Sequence, residues 1–420
     1  MRAGAQAARV DAAVLRQRLE GLSVFGRPAG GSFADGVSRV AFSDADVAGR
    51  NYVLGLMRSA GLTPRIDPAG NIFARRPGTD NNLPPILFGS HIDSVPSGGN
   101  FDGDLGSLAA LSVIETLDRA ATRTRHPLEI VVWSSEEGVA FGRGLAGSRI
   151  VAGDVKPADM DAVWNGLRRA DAIRKIGGDP DRVTTAIRPK GAHHAYLELL
   201  IEQGGTLERD RVSIGVVEGI VNIERYSVII TGFANHAGTT PMPDRQDALV
   251  AASELTLAVR AAVTAKPGRQ VGTVGQLIVE PNAPNVVPGV VRLTIEVRDM
   301  SAAVLTEIIA DIRQRAAAIA TRTKTQIAID LLSRNPGAPA SEDVQRAIER
   351  AAADNGLSCR RQPSFAGHDA QMMAQLSPMG MIFVPSVGGI SHSPRELTAW
   401  ADCANGASVL LSAVLAADRV

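Results

Sequence analysis

Two histidines and a group of carboxylates in this chain stand just past short apolar runs, where side chains can meet both water and a ligand. In Gly89-Ser-His-Ile-Asp-Ser, His91 is followed two residues later by Asp93. A metal-bound imidazole needs its second nitrogen held, commonly by a carboxylate, so this spacing can supply a ligand and its orienter together. In Gly98-Gly-Asn-Phe-Asp-Gly, the glycines let backbone approach a site closely, and Asp102 is placed to bridge two cations or, more plainly, to cap a helix. Ser134-Ser-Glu-Glu-Gly carries adjacent carboxylates that repel one another in an empty site. Beside a divalent cation they can divide the work, with Glu137 as ligand and Glu136 moving a proton from water to a leaving amine. The plainer reading of that pair is a solvated loop. Gly388-Gly-Ile-Ser-His-Ser-Pro adds His392. Such a donor set suits zinc, manganese, cobalt or nickel, one or two ions per chain.

Two textures of sequence must position these groups. The runs Pro85-Ile-Leu-Phe-Gly, Glu129-Ile-Val-Val-Trp and Met381-Ile-Phe-Val are nearly continuous in apolar residues, as expected of strands covered on both faces. Between the first two, Leu108, Leu111, Ile114 and Leu117 share one face of a helix expected over 103–120, which makes a βαβ unit. From about 220 to 329 the texture changes. Val291, Leu293, Ile295 and Val297 alternate with polar neighbours, the pattern of a strand with one wet face. Strands over 224–233 and 272–280, with helices near 247–262 and 304–321, complete a ferredoxin-like α+β module. The expected fold is α/β, a mixed sheet flanked by helices over 1–218 and 331–420, with an inserted α+β domain over 219–330.

Bulk properties narrow the class. A chain of 420 residues fits two domains and a large core. Lys+Arg 44 against Asp+Glu 44 leaves formal net charge +0, without the field of a general nucleic-acid binder. Cys359 and Cys403 form no CxxC pair, which disfavours a disulfide framework or a thiolate zinc site. No apolar leader or run of 18 apolar residues stands out, so a soluble cytoplasmic protein without a membrane partner is expected.

Taken in order, Gly89-Ser-His-Ile-Asp-Ser-Val-Pro, Gly98-Gly-Asn-Phe-Asp-Gly, Glu136-Glu137-Gly138, Ile201-Glu-Gln-Gly, Asn235-His-Ala-Gly-Thr-Thr-Pro-Met, Pro281-Asn-Ala-Pro-Asn-Val-Val-Pro-Gly and Ile390-Ser-His-Ser-Pro resemble the hydantoinase/carbamoylase branch of the M20 metallopeptidases. The resemblance runs from about 18 to about 415. It implies a zinc-peptidase-like catalytic domain and a lid that also forms a homodimer. It implies His91 at a first metal, Asp102 as bridge, Glu137 and His392 at a second, and Glu136 as general base. Gln203, Asn285 and Arg298 match substrate-contacting positions, and His236 matches a group that steadies an oxyanion. Arg298 would pair with a substrate carboxylate. His368, in Ala366-Gly-His-Asp-Ala, matches a further motif, with helix capping or a supporting hydrogen bond as open as substrate contact. The implied reaction is hydrolysis of a carbamoyl or ureido bond in a small acid such as an N-carbamoyl-L-amino acid. Allantoate or ureidoglycolate hydrolysis, M20 peptidase or aminoacylase activity, and a weakened binding protein are the alternatives.

One departure matters. The family reads Glu-Leu-His-Ile-Glu-Gln-Gly-Pro where this chain reads Glu198-Leu-Leu-Ile-Glu-Gln-Gly-Gly. Leu200 stands where the resemblance implies a third ligand to the first metal, and leucine coordinates nothing.

Overall fold

The computed structural model describes residues 9–419, so the segment 1–8 at the expected leaderless start lies outside the described residues. The chain forms two compact units, one from 1–219 with 339–420 and the other from 220–338. A boundary at 330 would cut the strand Gln326–Asn335, which pairs along its length with Asn222–Thr231.

The first unit is built on a mixed sheet flanked by helices. Its strands lie in the order Arg65–Ile66, Ile72–Arg76, Leu128–Trp133, Ile86–His91, Ala195–Ile201, Met379–Val384 and Ile214–Ile220. The four strands from Leu128–Trp133 to Met379–Val384 are mutually parallel. Every residue in these four is buried, which explains why they read as continuous apolar runs rather than as alternation. Antiparallel strands flank them on both sides, and neither Ile72–Arg76 nor Cys359–Ser364 stood out in the sequence. The helix Asp104–Arg119 buries most of its surface between the sheet and the helices Ala12–Leu22 and Trp400–Ala417. Trp400–Ala417 is long and apolar enough to cross a membrane by composition, but Cys403, Leu410, Leu411 and Val414 are buried in the core of this unit.

The second unit runs strand, helix, strand, strand, helix, strand, all antiparallel, in the order Val271–Glu280, Val290–Asp299, Asn222–Thr231, Gln326–Asn335. Numbered within the unit this is 2-3-1-4, the ferredoxin-like arrangement. Val291, Leu293, Ile295 and Val297 bury their side chains under the helices Ala248–Val263 and Ala302–Thr323, as the alternation requires.

Behind the sheet, Arg188 donates to Glu129 and to Nε2 of His193, both at 2.6 Å, and that contact needs a neutral imidazole. Burial first, and the Arg188 charge second, bring His193 down to about 4. Since its folded value lies below the unfolded 6.5, the unfolded chain takes the proton first as pH falls. The stability from neutral His193 is complete above pH 6.5 and is lost as pH falls toward 4. A His193→Asn variant should lose roughly 2–3 kcal/mol less stability than the parent across that window. Urea midpoints measured at several pH values give the comparison, and parallel curves would refute it.

Candidate metal centre

The four parallel strands deliver their loops to one edge of the sheet, where open α/β folds place ligands. His91 is the last residue of Ile86–His91, and Glu136 and Glu137 follow Leu128–Trp133. Gln203 follows Ala195–Ile201, and His392 follows Met379–Val384. Asp102 lies just before the helix Asp104–Arg119.

These side chains converge. Nε2 of His392 lies 3.4 Å from Oδ2 of Asp102 and 3.3 Å from Oε2 of Glu137. Asp102, Glu137 and His392 each offer a ligand atom within 4.8 Å of the others, the one such trio among the described residues. Nε2 of His91 lies 3.8 Å from Oδ1 of Asp102 and 3.8 Å from Oε2 of Glu136. Oδ1 of Asp102 is buried without a hydrogen-bond partner among the described residues, whereas Oδ2 accepts from the Gln203 amide at 2.6 Å and from Ser391 at 3.3 Å.

The electrostatics call for a cation. Burial, then the charges of Glu137, Asp369, Asp93 and Asp102, push Glu136 well above the usual carboxyl range. Burial, then Asp102, Asp93 and Glu396, push Glu137 up to about 10. Burial would also raise Asp102, but the hydrogen bond from His392, the charge of His91 and the Gln203 amide outweigh it and hold Asp102 at about 2. A divalent ion would relieve this crowding, and imidazole with carboxylates suits zinc or its neighbours.

Two expected roles change on inspection. The Asp93 carboxylate does not orient His91, since its Oδ1 lies 3.8 Å from Nδ1. The Asp93 backbone carbonyl accepts from Nδ1 instead, at 2.9 Å. A carbonyl only accepts, so Nδ1 carries a hydrogen and Nε2 faces the cluster. The carboxylate of Asp93 accepts the backbone N–H groups of Glu136 at 3.0 Å and Glu137 at 3.2 Å, which fixes the glutamate pair. Nor does Asp102 cap the helix by its side chain, because Gly103 occupies the N-cap and no side-chain cap is made.

His368 sits at the N-cap of Asp369–Met373 but makes no side-chain cap. Its Nε2 meets Ser364 at 2.7 Å, and burial brings it down to about 4, which suits a supporting neutral imidazole.

Glu396 was missed in the sequence. It is buried, and its carboxylate accepts from the backbone of Phe101 at 3.0 Å, Asp102 at 3.1 Å and His392 at 3.3 Å, and from the Ser391 hydroxyl at 2.8 Å. It therefore ties the Asp102 loop to the His392 loop. Its only signal in the sequence is an acid four residues after His392. Ser135, Gln203 and His392 all hold left-handed backbone, at φ 53, 58 and 54. Each such residue costs of order 1–3 kcal/mol, a strain that clusters at functional sites.

His236, Asn285 and Arg298 belong to the second unit. There Asn235–His236 pairs with Val286–Val287, and the Asn285 carbonyl accepts from Ala237 at 3.0 Å, so His236 and Asn285 are neighbours. Nδ1 of His236 accepts from Gly238 at 3.0 Å and Thr239 at 3.2 Å. Arg298 lies on Val290–Asp299 and pairs with Glu296 at 2.6 Å.

A carboxylate-rich donor set with an imidazole at the strand ends of a mixed sheet, with a buried glutamate beside it, defines a hydrolase of the metal-centred α/β kind. Residues 87–416 match the model of peptidase family M20/M25/M40, and the chain belongs to that family, in its hydantoinase/carbamoylase branch. It is an amidohydrolase. An N-carbamoyl-L-amino acid amidohydrolase of Geobacillus stearothermophilus is 39% identical over 401 residues, spanning 95% of this chain and 97% of the relative. A ureidoglycolate hydrolase of Arabidopsis thaliana is 38% identical over 410 residues, spanning 96% and 85%. The crystal structure of a hydantoinase/carbamoylase family amidase from Burkholderia multivorans superposes with a TM-score of 0.90 at 35% identity, covering 98% of each chain.

The His91 ring leaves no room at Gly103. A Cβ there would stand 2.4 Å from Cε1 of His91, on backbone at φ +69. Gly142 shares that φ of +69 but has nothing within 4 Å. Gly103→Ala should therefore slow hydrolysis about 10–100-fold by shifting the ring, while Gly142→Ala should not. Equal turnover of the two variants, measured on one substrate, would show that the ring position is unimportant.

Proposed function

We propose that this chain is a metal-dependent amidohydrolase that cleaves the carbamoyl or ureido C–N bond of a small carboxylate, such as an N-carbamoyl-L-amino acid. The observation that supports it most is the Asp102, Glu137 and His392 trio with buried Glu136 beside it. When bound, a zinc, manganese, cobalt or nickel ion supplies a Lewis acid that makes water nucleophilic near neutral pH. Glu136 takes the proton from that water and returns it to the departing nitrogen, and Asp93 holds its backbone in place. His236 accepts two backbone N–H groups at Nδ1, so its hydrogen sits on Nε2, ready to donate to an oxyanion. Arg298, steadied by Glu296, offers its guanidinium to the substrate carboxylate, with Asn285 and Gln203 as amide contacts. The products are ammonia, carbon dioxide and the free amine or amino acid. The second unit acts as lid and homodimer surface in this reading, supported by exposed Leu277 and Ile278 on one edge strand of its sheet and Leu331 and Leu332 on the other. The enzyme is read as soluble and cytoplasmic. The ureidoglycolate hydrolase relative favours a second substrate group, ureido acids of the ureidoglycolate or allantoate kind.

The test is ammonia release by metal-reconstituted protein from N-carbamoyl-L-amino acids, ureidoglycolate and allantoate, set against dipeptide cleavage. Ammonia from at least one of the first group is expected, and dipeptide hydrolysis alone would overturn the assignment. Glu136→Gln should lower kcat roughly 10²–10⁴-fold with substrate binding kept. Turnover at the parental rate would remove Glu136 from its role.

A further inference from the structure

We infer that this chain holds a single divalent cation tightly, on Asp102, Glu137 and His392, and that His91 serves as a positioning residue rather than as a ligand of a second tight site. The inference rests on the metal-centre reading above and concerns how many ions that centre keeps. Catalytic sites that retain a divalent ion generally supply three protein ligands. The trio Asp102, Glu137 and His392 meets that requirement. The position beside His91 does not. It has Nε2 of His91 and the unpartnered Oδ1 of Asp102, 3.8 Å apart, and needs one donor more.

The strands on either side of His91 decline to provide it. Toward Leu128–Trp133, His91 is paired with Trp133. Toward Ala195–Ile201, the parallel register sets Ile86 against Ala195, Leu87 against Tyr196 and Phe88 against Leu197. Carried three residues further, the same offset brings Leu200 abreast of His91. Leu200 is fully buried and has no donor atom. Glu198 shares its face of the strand but lies two residues back, about 7 Å along the chain. Its carboxylate is already engaged by Ser90 at 2.7 Å, Tyr196 at 3.1 Å and the backbone of Ala370 at 3.0 Å. On the third side Gly103 closes against the ring and brings no side chain. Glu136 comes near, with Oε2 3.8 Å from Nε2, but in the proposed function its carboxylate serves as the base, and coordination would draw charge from it. What His91 does have is a fixed ring, with Nδ1 donating to the Asp93 carbonyl and Nε2 aimed between Asp102 and Glu136. At 3.8 Å from each carboxylate, Nε2 is placed to orient them through a bridging water.

Metal content tests this apart from activity. Full-length protein is stripped with chelator, reloaded with excess Mn²⁺ or Zn²⁺, gel-filtered and assayed for metal per chain. Titration calorimetry of the stripped protein gives the stoichiometry independently, and circular dichroism checks that each variant is folded. One equivalent is expected in the parent and in His91→Ala, close to none in His392→Ala, and two in Leu200→His. Two retained equivalents in the parent, or loss of the ion in His91→Ala, would overturn the inference. Two equivalents with ammonia release would leave the proposed function standing, whereas no retained ion and no turnover would sink both. Should Leu200→His fail to fold, the His91→Ala count decides alone.

Discussion

The constraint on which the rest depends is the crowding of carboxylates at one end of a buried sheet. Asp93, Asp102, Glu136, Glu137 and Glu396 are drawn into a small volume, where burial and mutual repulsion oppose the ionisation of Glu136, Glu137 and Glu396. Such a cluster persists only if something holds each member, since an unpaired buried charge costs several kcal/mol. Here the holding is done largely by backbone. Asp93 grips the amides of Glu136 and Glu137, and Glu396 grips those of Phe101, Asp102 and His392. Two carboxylates outside the candidate trio thus fix the geometry of Asp102, Glu136 and Glu137.

The scaffold beneath follows from this need for rigidity. Arg39, almost wholly buried, forms an ion pair with Asp104 and donates to the carbonyls of Ile92, Leu22 and Phe25. One guanidinium therefore links the segment after His91, the start of the Asp104–Arg119 helix and the N-terminal helix. Deeper still, Glu198, Ser90, Tyr196 and Trp133 form a hydrogen-bonded chain under His91. Burial foremost raises Glu198 to about 7. Buried polar networks of this kind are stable only when satisfied throughout, and they specify one arrangement when they are.

Leu200 stands out against that setting. Along Ala195–Ile201 the residues Leu197, Leu199 and Ile201 join the main apolar core, while Tyr196 and Glu198 face the polar network. Leu200 continues the polar face with an apolar side chain beside the candidate metal centre. It makes the wall next to His91 dry where a donor is the expected occupant, and it separates this chain from the motif it otherwise resembles.

Much was legible in the residues themselves. Continuous apolar runs implied doubly covered strands, alternation in 290–299 implied a half-wet one, and both periods arise from local geometry that a single sequence carries. The ordered motifs around His91, Asp102, Glu136 and His392 pointed to the family and its chemistry. What only the tertiary structure decided were particular polar contacts, some between neighbours in the chain and others between segments far apart. Glu396 on the Phe101 amide, the Gln203 amide on Asp102 and the carbonyl rather than the carboxylate of Asp93 on His91 have no periodic signature. A hydrogen bond is fixed by three-dimensional distance and angle, and spacing along the chain does not encode which of two oxygens on one residue will accept it.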